Sequence, residues 1–152
     1  MVAKWLASLA AVTMLAALGS CADAPAPPAP TTVALNVTTD PTTNGGLPAR
    51  VQVYYLASVA SFQGGDYFAL ADDAQTTLGA DLVSLDEYLM IAGSAQTDAK
   101  SFDQQVTHIG VVVGFREIAT AAWRATMPLS PNAPNPVAIT VVGNTVTIAP
   151  AP

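Results

Sequence analysis

Short runs in which apolar and polar side chains alternate, each bounded by turn-forming residues, set the limits on what this chain can fold into. Val33, Leu35 and Val37 alternate with Ala34, Asn36 and Thr38, the period of a strand that buries one face. Arg50–Leu56 repeats the pattern, with Val51, Val53 and Tyr55 on one side and Gln52, Tyr54 and Leu56 on the other. Val137–Val142 and Thr145–Ala149 alternate again around Gly143-Asn144, a two-residue connection whose leading glycine suits a type II′ turn. The most apolar run, Thr107–Arg116, reads as a central strand. Tyr88–Ile91, Ala99–Phe102 and Trp123–Met127 are shorter candidates. Seven or eight short strands separated by turn signals predict a mainly β fold, a sandwich over residues 33–152.

One segment changes period. Val59 with Phe62, Tyr67 with Leu70, and Leu70 with Ala74 and Leu78 stand three or four residues apart, the spacing of an apolar helical face. The pattern predicts a helical insertion over 59–79. Gly64-Gly65 should break it into two pieces, with Asp66 capping the second and Gly79 lying just past its end.

The N-terminal 20 residues read as an address. Lys4 precedes an uncharged run from Trp5 to Leu18, a signal-peptide layout too short for a comfortable membrane span. The sole cysteine, Cys21, follows Leu18-Gly19-Ser20. That sequence resembles the bacterial lipobox, in which the thiol takes a diacylglyceryl thioether and the mature chain is further acylated, palmitate being a typical chain. Ala22, rather than an aspartate, follows the cysteine, which favours the outer membrane over retention in the inner one. Residues 21–32, with prolines at 25, 27, 28 and 30, are expected to form an extended tether. Loss of residues 1–20 would leave four basic and eleven acidic side chains. Such a domain cannot hold itself to anionic lipid by charge, so the acyl chains must anchor it.

The same charge balance excludes a nucleic-acid partner, because a phosphate backbone needs clustered Lys and Arg. One His and one Cys are too few for a metal centre, and no cofactor motif is present. Gly110 and Gly114 lack the strand-loop-helix setting of a phosphate loop and read as bulges or tight sheet packing. His108 sits among core-like strand neighbours, where a ring satisfied by a backbone partner is far commoner than a catalytic base. The adjacent pairs Asp72-Asp73 and Asp86-Glu87 point apart on a helix or strand, so neither is an acid/base pair. The chain reads as a non-enzyme.

The long connection Asp40–Ala49 remains. Asp40, Pro41, Thr42, Thr43, Asn44, Gly45, Gly46 and Pro48 are loop-forming by backbone chemistry, and Leu47 is either folded onto the core or held out as a contact. A loop of this kind should matter little to stability, so that replacing Thr42–Leu47 by Gly-Ser leaves the domain intact.

In this order, the lipobox Cys21, the Pro-rich tether, Leu47–Leu56, Phe62–Leu70, Ile109–Arg116 and Trp123-Arg124 resemble the TssJ (SciN) lipoproteins of the type VI secretion system. The most specific parts are Val51-Gln52-Val53-Tyr54-Tyr55-Leu56 and Gly110–Glu117 followed by Trp123-Arg124. The resemblance implies a transthyretin-like β-sandwich with added helices, held on the periplasmic face of the outer membrane. It also implies binding to the periplasmic C-terminal region of TssM through the loop Asp40–Pro48, and a place beside the other subunits of the membrane complex. Gly64-Gly65 departs from the more polar pair usual in that family. Two other classes share the anchor or the small size: a secretin-pilot-like adaptor, and a periplasmic sandwich that binds a small ligand or glycan.

Overall fold

The computed structural model describes residues 25–103 and 105–152; the proposed signal peptide and Cys21 lie outside them. Pro25–Pro30 is exposed and has no regular structure. The described residues form eight strands: β1 (Thr31–Thr39), β2 (Ala49–Leu56), β3 (Leu82–Met90), β4 (Ala95–Phe102), β5 (His108–Gly114), β6 (Arg124–Pro128), β7 (Pro134–Val142) and β8 (Thr145–Pro150). They make two four-stranded sheets in the orders β4-β1-β7-β8 and β3-β2-β5-β6. Every pairing is antiparallel except β1 with β7.

The alternation of the sequence becomes the inter-sheet core. Val33, Leu35 and Val37 of β1 meet Val51, Val53 and Tyr55 of β2, Ile109, Val111 and Val113 of β5, and Val137, Ile139 and Val141 of β7, all buried. Each such side chain contributes roughly 1.5–3 kcal/mol by leaving water. The other face of β2 is buried as well. Tyr54 and Leu56, with Val112 of β5, pack against Phe62, Leu70, Ala71, Ala74 and Leu78 of the helical insertion.

That insertion has three helices rather than two: α1 (Ala60–Gly64), α2 (Tyr67–Asp72) and α3 (Ala74–Leu78). The expected break at Gly64-Gly65 is present, Asp66 caps α2 by accepting from the Ala69 amide at 3.0 Å, and Gly79 ends α3 at φ +52°. A second break falls at Asp73, whose backbone leaves the helical region (φ −139°, ψ 50°). The insertion is bolted to the sheet by polar groups. Gln52 and Arg50 donate to the Ala71 carbonyl at 3.1 and 2.9 Å, Tyr54 donates to the Leu70 carbonyl at 2.8 Å, and Arg124 donates to the carbonyls of Phe62 and Gly65. Burial raises the Tyr54 pKa, which keeps this hydroxyl a donor. Gly110 admits the Phe62 ring, since a Cβ there would stand 2.7 Å from it. Gly110 and Gly114 are therefore close-packing sites, and the register of β5 runs through them without a bulge.

Several boundaries differ from the sequence reading. β1 starts two residues early, because Thr31 is buried and its hydroxyl accepts from the Asn132 amide. β3 begins at Leu82 rather than Tyr88, and β4 at Ala95 rather than Ala99. On β4 the residues that partner Val37, Leu35 and Val33 are Gln96, Asp98 and Lys100. Charged and polar side chains thus occupy its inner face, where Lys100 pairs with Asp86 and Asp98 accepts from Tyr88. Inward charge on an edge strand discourages pairing with another sheet.

Candidate partner-binding end

Four connections gather at one end of the sandwich: residues 40–48, 91–94, 115–123 and 143–144. Pro25–Pro30 leads into β1 at Thr31, at the opposite end. Nine residues of strand separate the two ends by about 27 Å.

The loop from Asp40 to Pro48 is built in three steps. Asp40 accepts from the Thr42 hydroxyl and, at 2.7 Å, from the Thr42 amide, a turn in which the carboxylate stands in for a backbone acceptor. These two donors, the hydroxyl above all, hold the Asp40 carboxyl below the ordinary carboxylate range. Thr43 then turns inward, wholly buried, and donates to the Val141 carbonyl at 2.8 Å. Asn44 follows in the left-handed region at φ +51°, with Gly45 and Gly46 at +66° and +82°. Of the residues with a Cβ, Asn is among the few that tolerate this conformation.

Asn44 ties three connections together. Its amide N–H donates to the Gly143 carbonyl at 2.8 Å, its Nδ2 donates to the Pro48 carbonyl at 2.9 Å, and its Oδ1 accepts from the Arg116 amide at 2.7 Å. The Gly143 turn has positive φ at its first central residue alone (+56°), as a type II′ connection requires. Pro41 packs beside Gly93 of the 91–94 turn, where a Cβ would lie 3.5 Å from its ring.

The expectation that the loop contributes little to stability is thereby corrected. Thr43 and Asn44 are core residues of this end, with buried polar atoms satisfied by backbone far away in sequence. A Gly-Ser replacement would orphan the Arg116 amide and leave the Val141 carbonyl with the Asp40 amide as its one remaining donor.

Leu47, by contrast, points outward and is 45% exposed. It lines a shallow cleft of about 150 Å³ with Asn44, Gly45, Arg116, Glu117 and Asn144. Two more apolar side chains at this end, Ile91 and Val142, are also exposed. Of the sequence-nominated residues, Pro41, Thr42, Gly45, Gly46, Leu47 and Pro48 are at the surface, Asp40 is half-buried, and Thr43 and Asn44 face inward. Sequence reasoning did not assign Arg116, Glu117, Asn144, Ile91 or Val142 to the site, since only the topology brings them there.

The other nominated groups are structural. The His108 Nδ1 lies 2.9 Å from the Thr107 hydroxyl, so its partner is a side chain rather than the expected backbone group. Asp86 and Glu87 point apart, toward Lys100 and Arg50 respectively. Among the described residues no helix is long and apolar enough to cross a membrane, and no three potential metal ligands cluster.

Residues 31–144 match the family model T6SS-SciN, described as type VI secretion lipoprotein (VasD, EvfM, TssJ). The chain belongs to the type VI secretion lipoprotein (TssJ) family. The crystal structure of the type VI lipoprotein TssJ1 from Pseudomonas aeruginosa is similar at 31% identity and TM-score 0.77, over 81% of this chain and 98% of that one. A chain of a type VI membrane complex follows at 25% identity and TM-score 0.67, over 79% and 98%. A chain in the structure of the TssM C-terminal domain (869–1107) from EAEC has 24% identity and TM-score 0.63, over 80% and 99%. No curated protein matches the sequence. The protein is thus a lipoprotein of the type VI secretion system with the family's two-sheet sandwich, and TssJ proteins are structural components rather than a class of enzymes.

Proposed function

We propose that this TssJ-family protein fastens the type VI trans-envelope complex to the outer membrane. The lipid on Cys21 holds the tether end, the sandwich carries the load, and the loop Asp40–Pro48 binds the periplasmic C-terminal region of TssM. The observation that carries this reading is the placement of Leu47. It is an exposed apolar side chain on a loop made rigid by Thr43 and Asn44, at the end farthest from the tether. Rigid presentation lowers the ordering entropy of binding. Likeness to a chain of a type VI membrane complex supports the same reading.

Titration of the full lipoprotein in detergent with the TssM periplasmic region tests it. Leu47→Ala should weaken binding about tenfold, or 1.4 kcal/mol, with melting unchanged. Wild-type affinity in that variant would refute the assignment of the loop.

A further inference from the structure

If the leader is removed at Cys21, the cations left are Arg50, Lys100, Arg116 and Arg124. Three of them are engaged within the molecule. Arg50 reaches Glu87 at 2.8 Å and Asp72 at 3.7 Å, Lys100 pairs with Asp86, and Arg124 binds two carbonyls while stacking on Trp123. Arg116 differs. Its backbone amide is fixed by Asn44, but its exposed guanidinium makes no hydrogen bond or ion pair among the described residues. In a chain with eleven acidic side chains and few cations, Arg116 lines the same cleft as the exposed Leu47.

Resting on the reading that this end binds the partner, we propose that the cleft between Leu47 and Arg116 receives a partner segment in which a single carboxylate side chain stands beside an apolar one. The guanidinium presents a planar fork of donors that fits a carboxylate with two parallel hydrogen bonds. Its stem starts from a backbone position that is already fixed, so less order must be imposed on binding. The apolar neighbour covers Leu47 and removes water from the ion pair, which strengthens it.

Two acidic groups near this end define the selectivity. Asp40 has its carboxylate occupied by the Thr42 hydroxyl and amide, so it offers little to an incoming cation. Glu117 lines the same cleft without pairing to Arg116. A second carboxylate on the partner would meet Glu117 and be repelled, which selects one acid rather than an acidic tract.

The test titrates the full lipoprotein in detergent against the periplasmic C-terminal region of the TssM encoded with it. Arg116→Gln should bind at least fivefold more weakly, Arg116→Glu more weakly still, and Glu117→Gln about twofold more tightly. The salt dependence of binding should flatten in Arg116→Gln. Gln63→Glu, which makes the same one-unit charge change on exposed α1 at the tether end, should bind like wild type. All four variants should melt like wild type, because neither head group at the cleft has an intramolecular partner to lose.

Wild-type affinity in both Arg116 variants, with Leu47→Ala still weakened, would overturn the inference and leave the binding end in place. Unchanged affinity in the Leu47 and Arg116 variants together would remove the binding end itself. Tighter binding by Arg116→Glu, weaker binding by Glu117→Gln, or an equal loss in Gln63→Glu would each overturn the acidic-segment proposal.

Discussion

Replacing Asn44 by Ala removes the side chain that ties its own loop to the 115–123 connection, and its cost can be worked from the geometry. The Arg116 amide loses its acceptor at 2.7 Å and the Pro48 carbonyl loses its donor at 2.9 Å. Pro48 is exposed, so its carbonyl can turn to water, whereas Asn44 is only 7% exposed and the Arg116 amide it holds is left without a partner. A buried group left unsatisfied costs about 1–3 kcal/mol. Ala must also adopt φ +51°, which costs about 1 kcal/mol more than for Asn or Gly. The sum is about 2–4 kcal/mol. At about 3–5 °C per kcal/mol for a domain of this size, the melting temperature should fall by about 6–20 °C. Circular dichroism melts of the full lipoprotein in detergent would measure it. Asn44→Gly separates the two causes, since Gly relieves the backbone strain and leaves the hydrogen bonds unmade, and it should recover roughly a quarter to a half of the loss. A melting temperature for Asn44→Ala within 2 °C of wild type would refute the conclusion that this loop is pinned to the sandwich.

Other consequences are equally concrete. Gly110→Ala places a Cβ against the fully buried Phe62 ring and should destabilise by about 1–3 kcal/mol, with Phe62→Leu in the same chain giving back part of the loss in a double-mutant cycle. Val113→Asp sets a carboxylate at a fully buried inter-sheet position; at several kcal/mol it should abolish cooperative melting. The Asp40 carboxyl has its pKa lowered by Thr42, so its stabilising contribution is complete above the ordinary carboxylate pKa. It is lost as pH falls through the lowered folded value. Melting curves of Asp40→Asn and wild type should therefore differ at pH 6 and converge toward pH 2, and a gap that is constant with pH would contradict the assignment. Cys21→Ser cannot form a thioether and should disappear from outer-membrane fractions, which immunoblotting of separated membranes would check.

Much of the fold was legible because burial and period coincide in it. Val33, Leu35 and Val37, or Val137, Ile139 and Val141, alternate because one face meets the opposite sheet. Asp66 and Gly79 mark helix ends by local chemistry alone. β4 was mostly hidden, because its inner face carries Gln96, Asp98 and Lys100 at the open side of the sandwich, where polar groups pair with Asp86 and Tyr88. Thr43 and Asn44 looked like ordinary turn residues. Their partners, the Val141 carbonyl and the Arg116 and Gly143 backbone, lie about 70 to 100 residues along the chain, so no local pattern reveals that they are buried. The same separation hid Arg116 from the site, although its neighbours in the run ending at Gly114 were read correctly as a central strand.

The central claim is that the end bearing Leu47, opposite the tether, is the one that grips the type VI complex. A photo-crosslinking residue placed at Leu47, and in a second strain at the exposed Ala80 near the tether end, tests it in cells that assemble the apparatus. Crosslinks to TssM from position 47 and none from position 80 are the expected result. Crosslinks from position 80 with none from position 47 would contradict it.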